Sequence, residues 1–462
     1  MKYISNSSEL SIFLDVEIKK NIPIKNISID TRKIKKNSLF IAIKGKKFNG
    51  NDFVKEAFNK GSSIALVDDK KFKLVTDKKI IYVANTIKAL KRISKNIIKE
   101  YDGSIIAITG SNGKTSTTNI ISSVLNKTSK TIGNYNNEIG MPLSIMNASP
   151  KSKNLILEIG ASKTGDIDYL SKIIRPYVGV ITNIGNSHLE NLKDINGVLN
   201  AKSELINNIK KDGFLIVPNE NKKHLRFWKS IRNDIKVYSF GFKNADFFAY
   251  DIKYKENGMH FMISSKLVDK DIKINTNLEG EHNIKNILAS FAIHNCLNKD
   301  PKDFAQKINS KAIKNIRQIK SKWLKGSTLI DDTYNANPDS TKKSIDLLSG
   351  YKKNTVIVLG DMLELGINRK KLHKDVGEYA KAKEIKVLIG FGKLAKEIVR
   401  GYGKNGIFFE KEDELKSYLK RKITSKDVIL IKGSRGMRME RFINVWIFRN
   451  SSCFCWSRIW CA

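Results

Sequence analysis

The stretch Ala107–Thr118, AITGSNGKTSTT, constrains this chain more than any other. An apolar run, SIIAITG, enters a glycine-rich turn, and a helical pattern opens at Lys114-Thr115. A strand, a tight turn and a helix in that order bring backbone N–H groups and the positive end of a helix dipole to one spot, which suits a phosphate. Gly110 and Gly113 let the backbone approach phosphate oxygens, with Ser111 and Asn112 between them. Lys114 reaches the terminal phosphates, and a Thr115 or Ser116 hydroxyl ligates Mg²⁺. The motif is G-x-x-G-K-T, shorter than the common G-x-x-x-x-G-K-[ST], because Ile108 stands five residues before Gly113. A glycine-rich turn with a chance lysine is the bland alternative. The strand before and the helix after favour a nucleotide site.

The rest of the chain supplies the setting. With 462 residues, and about 150 per domain, three domains are expected. Residues 1–83 read as a small α/β unit, with strands in SLFIAIKG and SSIALVDD and a helix over Asp52–Gly61 between them. A helix over Ile87–Tyr101 opens residues 84–312 and leads into SIIAITG, Ser104–Gly110. There NLILEIGAS, YVGVITNIG and GFLIVPN are apolar runs of buried-strand length separated by helical patterns. That alternation predicts a mainly parallel, doubly wound sheet. Phe247–Ser264 reads as a hairpin turning at Asn257-Gly258. Residues 313–462 restart the pattern as a second Rossmann-like domain, with strands in STLIDDTYNANP, NTVIVLGDM, IKVLIGFG and KDVILIKGS.

Composition excludes several classes. Hydrophobic residues at 41% and charged residues at 28% are globular values, not those of a collagen, a disulfide-knotted miniprotein or a wholly disordered chain. The net charge of +38 invites a nucleic-acid reading. Yet 14 of the cations are arginine and 70 are lysine spread along the whole chain, which fits a solvated lysine surface better than a binding stripe. Such a surface favours anionic substrates such as nucleotides. Of the cysteines, only Cys296 lies in the body of the chain, which fits a reducing cytosol. No signal peptide is expected from Met1–Leu10, and no run approaches about 18 apolar residues.

Three further residues stand where chemistry is expected. Glu158 follows one strand, His188 follows another, and Lys202 lies 14 residues later on a helix. Each alone has an ordinary reading: a packed histidine, or a lysine facing water. Together, a carboxylate and an imidazole at adjacent strand ends form a divalent-metal site beside the γ-phosphate.

In order along the chain, TGSNGKTS, NYNNEIGMP, EIGASKTGDI, NIGNSHLE, NAKSEL, LEGEHNIKNILAS, LIDDTYNANPDS, VLGDMLELG, LHKDVG and LIKGSRGM resemble the Mur ligase family over about residues 28–444. These are ATP-dependent amide-bond-forming enzymes of peptidoglycan precursor synthesis. The NNEIG, DDTYNANP and GDMLELG forms resemble the branch that adds D-Ala-D-Ala to UDP-N-acetylmuramoyl-tripeptide. The same strings argue against a sister ligase adding one amino acid and against a folylpolyglutamate synthase.

The resemblance implies three α/β domains: UDP-binding, central ATP-binding, and a C-terminal Rossmann-like domain that closes over them. Ser28, Asp30, Thr31 and Arg32 match the uridine-side segment, with an ordinary Asp30/Arg32 surface pair as the alternative. Gly110–Ser116 match the phosphate loop, and Asn283 and Asn286 match adenine-side positions. Arg317, Asp332 and Tyr334 match positions near phosphate and ribose, although Ile316 stands where the family has glycine before the arginine. Thr115, Glu158, His188 and Lys202 match Mg²⁺-linked positions, and Lys202 matches a lysine carbamylated by CO₂. Lys114, His188 and Lys202 are the expected catalytic set. Asn134, Asn136, Asn137, Glu364, Lys432, Ser434 and Arg435 match substrate-side positions. Glu364 and His373 have a plain alternative as loop and helix-cap residues. A cytoplasmic monomer is expected, with no nucleic-acid partner and no membrane span. The tail Val445–Ala462 departs from the family: it holds three of four cysteines and three of five tryptophans, and no lysine. A shifted reading frame explains it, with a membrane-touching aromatic tail as the alternative.

Overall fold

The computed structural model describes residues 3–18, 20–45, 48–75, 77–255, 258–310, 312–313, 317–351 and 353–443. The aberrant tail and Asn257 lie outside them. Among the described residues, no helix is long and apolar enough to cross a membrane. The chain forms two compact units: residues 1–184 with 199–313, and residues 185–198 with the chain from 314 on.

The first unit holds two sheets. The smaller is parallel throughout, in the order β1 (Asn26–Ser28), β2 (Ser38–Ile41), β3 (Ser62–Val67), β4 (Ile80–Tyr82). The helix expected from Asp52 begins earlier than its Asp signal. Asn49 caps a 3₁₀ turn over Gly50–Phe53 by accepting from the Asn51 N–H, and the α-helix proper is Val54–Asn59. Gly61 does stop it, at φ +100°, a left-handed value that suits glycine.

Helix Thr86–Glu100 joins the two sheets. Its Ala89, Leu90, Ile93 and Ile97 recur at helical spacing and share one core with Leu39 and Leu66 of the small sheet and Leu155 and Leu157 of the large one.

The large sheet has nine strands. In chain order they are β5 (Ser104–Thr109), β6 (Thr128–Lys130), β7 (Asn154–Glu158), β8 (Val178–Ile181), β9 (Phe214–Pro218), β10 (Lys236–Gly241), β11 (Phe247–Lys255), β12 (Gly258–Ser265) and β13 (Ile272–Thr276). In space the order is β13-β12-β11-β10-β9-β8-β5-β7-β6. The expected parallel core is β6 to β11, and β11, β12 and β13 are antiparallel. The hairpin of β11 and β12 forms as read, with a register shift between Tyr250 and Lys253. Strand β5 lies between β7 and β8, so the chain crosses to opposite sides of it. That is the switch point at which open parallel sheets bind ligands.

The second unit has a six-stranded sheet. Its strands are β14 (Ile319–Lys322), β15 (Thr328–Asp332), β16 (Asn354–Gly360), β17 (Val387–Phe391), β18 (Ile407–Phe409) and β19 (Asp427–Lys432), in the order β14-β15-β19-β16-β17-β18. Only β14 is antiparallel to its neighbour. Residues alternate between two cores along each strand. Ile330, Ile357, Leu388 and Leu430 face one way, and Leu329, Val358, Ile389 and Ile431 the other. Both faces are covered, as a parallel sheet requires.

Candidate active site

The phosphate loop sits at the C-terminal end of β5. Gly110 has φ +142°, and a Cβ there would lie 2.0 Å from Thr182 Oγ1. Gly113 has φ +83°, and a Cβ there would lie 2.6 Å from Asn286 Oδ1. Both glycines are therefore demanded by backbone and by space. Asn183, just beyond β8, holds the loop from both ends of its side chain. Its Oδ1 accepts from the Asn112 N–H at 2.9 Å, its Nδ2 donates to the Asn112 carbonyl at 2.9 Å, and its own carbonyl accepts from the Ser111 N–H. Helix Lys114–Val124 opens at Gly113 with no side-chain cap. Lys114 folds back over the loop, its Nζ 2.5 Å from the Gly110 carbonyl.

Glu158 ends β7 opposite Ile108 of β5, almost fully buried. Thr115 Oγ1 donates to its carboxylate at 2.9 Å, and its own N–H donates to Thr131 Oγ1 at 2.8 Å. Lys202, expected to face water in its plain reading, is 1% exposed. Its pKa is pushed down to about 7, first by burial and then by the charge of Lys114, while Glu204 and Asp166 pull the other way. Glu204 also accepts from the N–H groups of Gly165 and Asp168, so it fixes the segment that follows Glu158.

Asn286 and Asn283 lie one turn apart on the buried helix Glu281–Cys296. Asn286 Oδ1 accepts from Thr117 Oγ1, its Nδ2 donates to Asn283 Oδ1, and Asn283 Nδ2 donates to the Glu279 carbonyl. The NNEIG loop reaches the same sheet edge. The Gly160 N–H donates to the Asn136 carbonyl, Asn136 in turn bonds the Asn134 carbonyl through its N–H, and Asn137 Oδ1 accepts from the Gly140 N–H. Following β1, Asp30 takes Arg32 in a two-point pair at 2.9 and 2.8 Å, which holds its carboxyl below the usual range. Ser28 bonds the backbone of Asp30, and Thr31 opens the short 3₁₀ turn that Asp30 caps.

The remaining expected residues belong to the second unit. His188 Nδ1 is 2.5 Å from Glu364 Oε2. The Arg317 guanidinium lies over the Tyr334 ring at 4.6 Å. Lys432 pairs with Asp332 at 2.7 Å in the buried interior. Ser434 joins three motifs: its hydroxyl accepts from the Leu363 N–H, donates to the Ala336 carbonyl, and its N–H donates to Asp361. Arg435 pairs with Glu440, and its N–H donates to Asn335 Oδ1. His373 takes the structural reading. It is buried, Nε2 accepts from the Met362 N–H at 2.9 Å, and Nδ1 therefore donates to the Arg369 carbonyl.

Three family profiles match the chain: Mur ligase family, catalytic domain, over residues 23–99; Mur ligase middle domain, over 108–294; and Mur ligase, glutamate ligase domain, over 317–435. A Bacillus subtilis protein named UDP-N-acetylmuramoyl-tripeptide–D-alanyl-D-alanine ligase is 35% identical over 432 residues, 91% of this chain and 92% of that one. The chain belongs to the Mur ligase family. A protein of the same name from Buchnera aphidicola subsp. Baizongia pistaciae is 38% identical, again over 91% of this chain and 92% of its own. Among solved structures, MurF from Acinetobacter baumannii superposes with a TM-score of 0.83 at 27% identity, covering 94% and 96% of the two chains. MurF ligase from Thermotoga maritima in complex with ADP gives 0.77 at 27%, covering 91% and 96%.

Within this Mur ligase, Thr115 and Glu158 offer hard oxygens beside the phosphate loop. They fit Mg²⁺, which takes one or two carboxylates and completes its shell with water and phosphate oxygens. Among the described residues, no cluster of three or more His, Cys, Asp or Glu side chains could hold a metal alone. Sequence reasoning missed Asn183, Thr131 and Glu204. Asn183 opens the NIGNSHLE motif. Thr131 and Glu204 carry no local signal, because their partners are 27 and 39 residues away.

Proposed function

We propose that this chain is an ATP-dependent ligase that joins D-Ala-D-Ala to the tripeptide carboxylate of UDP-N-acetylmuramoyl-tripeptide, a step in making peptidoglycan precursors. The observation that carries this reading is the meeting of the phosphate loop, the Thr115–Glu158 pair and buried Lys202 at one sheet edge, in a chain aligned nearly end to end with relatives named for that reaction.

A carboxylate is a poor acyl donor because oxide is a bad leaving group. Transfer of the γ-phosphoryl to a carboxylate oxygen, with ADP leaving, makes an acyl phosphate. The free amine of D-Ala-D-Ala attacks its carbonyl, phosphate leaves, and the amine loses a proton. Gly110–Ser116 cradle the phosphates, and Lys114 spreads the charge that develops on them. Asn283 and Asn286 take the adenine side, and Arg317, Asp332 and Tyr334 the ribose and phosphate side. Ser28, Asp30, Thr31 and Arg32 take the uridine side, Asn134, Asn136, Asn137, Glu364, Ser434 and Arg435 orient the peptide ends, and orientation supplies most of the rate.

Mg²⁺, held by Thr115, Glu158, His188 and carbamylated Lys202, would neutralise phosphate charge. Carbamylation needs a neutral amine. A pKa near 7 leaves about half of Lys202 neutral at neutral pH. The domains are read as 1–83, 84–312 and 313–462, in a cytoplasmic monomer.

Phosphate release from ATP, with each component omitted in turn, tests the reading. Release that needs Mg²⁺, the nucleotide tripeptide and D-Ala-D-Ala, with a pentapeptide product by mass, is expected. Turnover with one amino acid in place of the dipeptide would make the chain a sister ligase.

A further inference from the structure

Lys432 ends β19 directly opposite Asp332, the last residue of β15. Its ammonium donates to Asp332 Oδ2 at 2.7 Å and to the Asn335 carbonyl at 2.9 Å. The side chains are 2% and 4% exposed. Ser344 Oγ donates to the same Oδ2 at 2.6 Å. Two donors therefore fall on one carboxylate oxygen, and the carboxylate is turned so that Oδ1 is the oxygen neither of them touches.

The second bond matters as much. By holding both Asp332 and the Asn335 carbonyl, Lys432 clamps the two ends of the segment Asp332–Asn335. Tyr334 stands inside that segment, with Arg317 over its ring. Two of the three donors of this ammonium are held inward, and its side chain is 2% exposed. It is a poor candidate to receive a substrate carboxylate, which is the role its motif position suggested.

We propose that Lys432 is a positioning residue for the nucleotide, acting through Asp332 and Tyr334, and that it makes no contact with the incoming dipeptide. The physical case is general. A buried ion pair adds little net stability, but removing one partner strands the other charge and frees its geometry. Lys432 thus fixes the direction in which Asp332 presents its remaining oxygen to a ribose hydroxyl. The inference rests on the reading that Asp332 and Tyr334 face the nucleotide.

The test is steady-state kinetics of the full chain, with ATP and D-Ala-D-Ala varied separately, alongside ADP binding by calorimetry. Lys432→Met and Asp332→Asn are each expected to raise KM for ATP by about 10-fold or more, with KM for D-Ala-D-Ala within about twofold of the parent. The double variant should be no worse than the poorer single one, because both break the same unit. Lys432→Arg should recover most of the ATP affinity. Ser344→Ala, a milder loss on the same oxygen, should weaken ADP binding by about two- to fivefold and serves where Lys432→Met does not fold. A Lys432→Met enzyme with a raised KM for the dipeptide and an unchanged KM for ATP would overturn the inference, as would unchanged ADP binding in Ser344→Ala. If Asp332→Asn itself leaves ATP affinity unchanged, the underlying assignment of Asp332 has failed instead.

Discussion

His188 and Glu364 meet through Nδ1 and Oε2 at 2.5 Å, and both hold left-handed backbone, with φ of 54° and 63°. The Glu190 N–H also donates to the Glu364 carbonyl, so the two loops are tied by main chain as well as side chain. Non-glycine residues at such angles persist only where surrounding contacts over-determine them, and they cluster at functional sites. The hydrogen bond from His188 holds the Glu364 carboxyl below its usual range. Because the pair is partly exposed, its loss should cost no more than about 1 kcal/mol of stability. Turnover should fall in the order parent, Glu364→Gln, Glu364→Ala, since glutamine keeps an acceptor for the imidazole. Melting curves beside initial rates check this. Equal rates in all three would remove Glu364 from the site.

Lys114→Ala should leave the fold intact and lower turnover by on the order of 10³-fold, because the cation at the phosphate loop is lost. Lys114 also lowers the pKa of Lys202. Its removal lets that pKa rise and reduces the neutral amine available to CO₂. Circular dichroism and phosphate release give the two readouts; a fully active variant would break the proposed chemistry.

The proposed carbamate on Lys202 predicts that activity depends on pH and CO₂. The folded pKa of Lys202, about 7, lies below the ordinary lysine value, so the unfolded chain binds more protons between about pH 7 and 10.5. Stability in CO₂-free buffer therefore rises with pH across that window. Lys202→Met removes the buried charge and should raise the melting temperature at pH 7 while abolishing turnover. Parent enzyme depleted of CO₂ should regain rate on adding bicarbonate, more fully at pH 8 than at pH 6. Rates indifferent to bicarbonate at both values would sink the carbamate.

How much of this is legible in the sequence depends on distance along the chain. The strand, Gly110, Gly113 and Lys114 lie within a dozen residues, and local rules suffice to place them. The switch point is legible too, because alternating strands and helices leave few topologies. Lys202 is not. Its helix pattern reads as a surface helix, and only tertiary packing buries it. The pairing of Lys432 is hidden for a different reason. Its motif points to a substrate contact, but the partner that occupies it, Asp332, is 100 residues upstream and meets it only through sheet register. Short edge strands such as β6 and β18, at three residues each, carry too few positions for a period to show.

His294 makes the sharpest stability prediction. It lies 1% exposed in the core helix Glu281–Cys296, edge-on to Phe304 with ring centroids 5.4 Å apart. Burial pushes its pKa down to about 4, only partly offset by Asp303, whose carboxylate is 3.6 Å from Nε2. The unfolded chain takes up the proton first, near pH 6.5, so the folded state loses stability as pH falls from there toward 4. Between pH 7 and pH 5 the loss should be about 2 kcal/mol. His294→Leu, which has nothing to protonate, should lack that component, so its urea midpoint should fall less than the parent's over the same interval. Parallel pH profiles for the two proteins would mean that the ring is already hydrated, or that Asp303 carries the proton's cost.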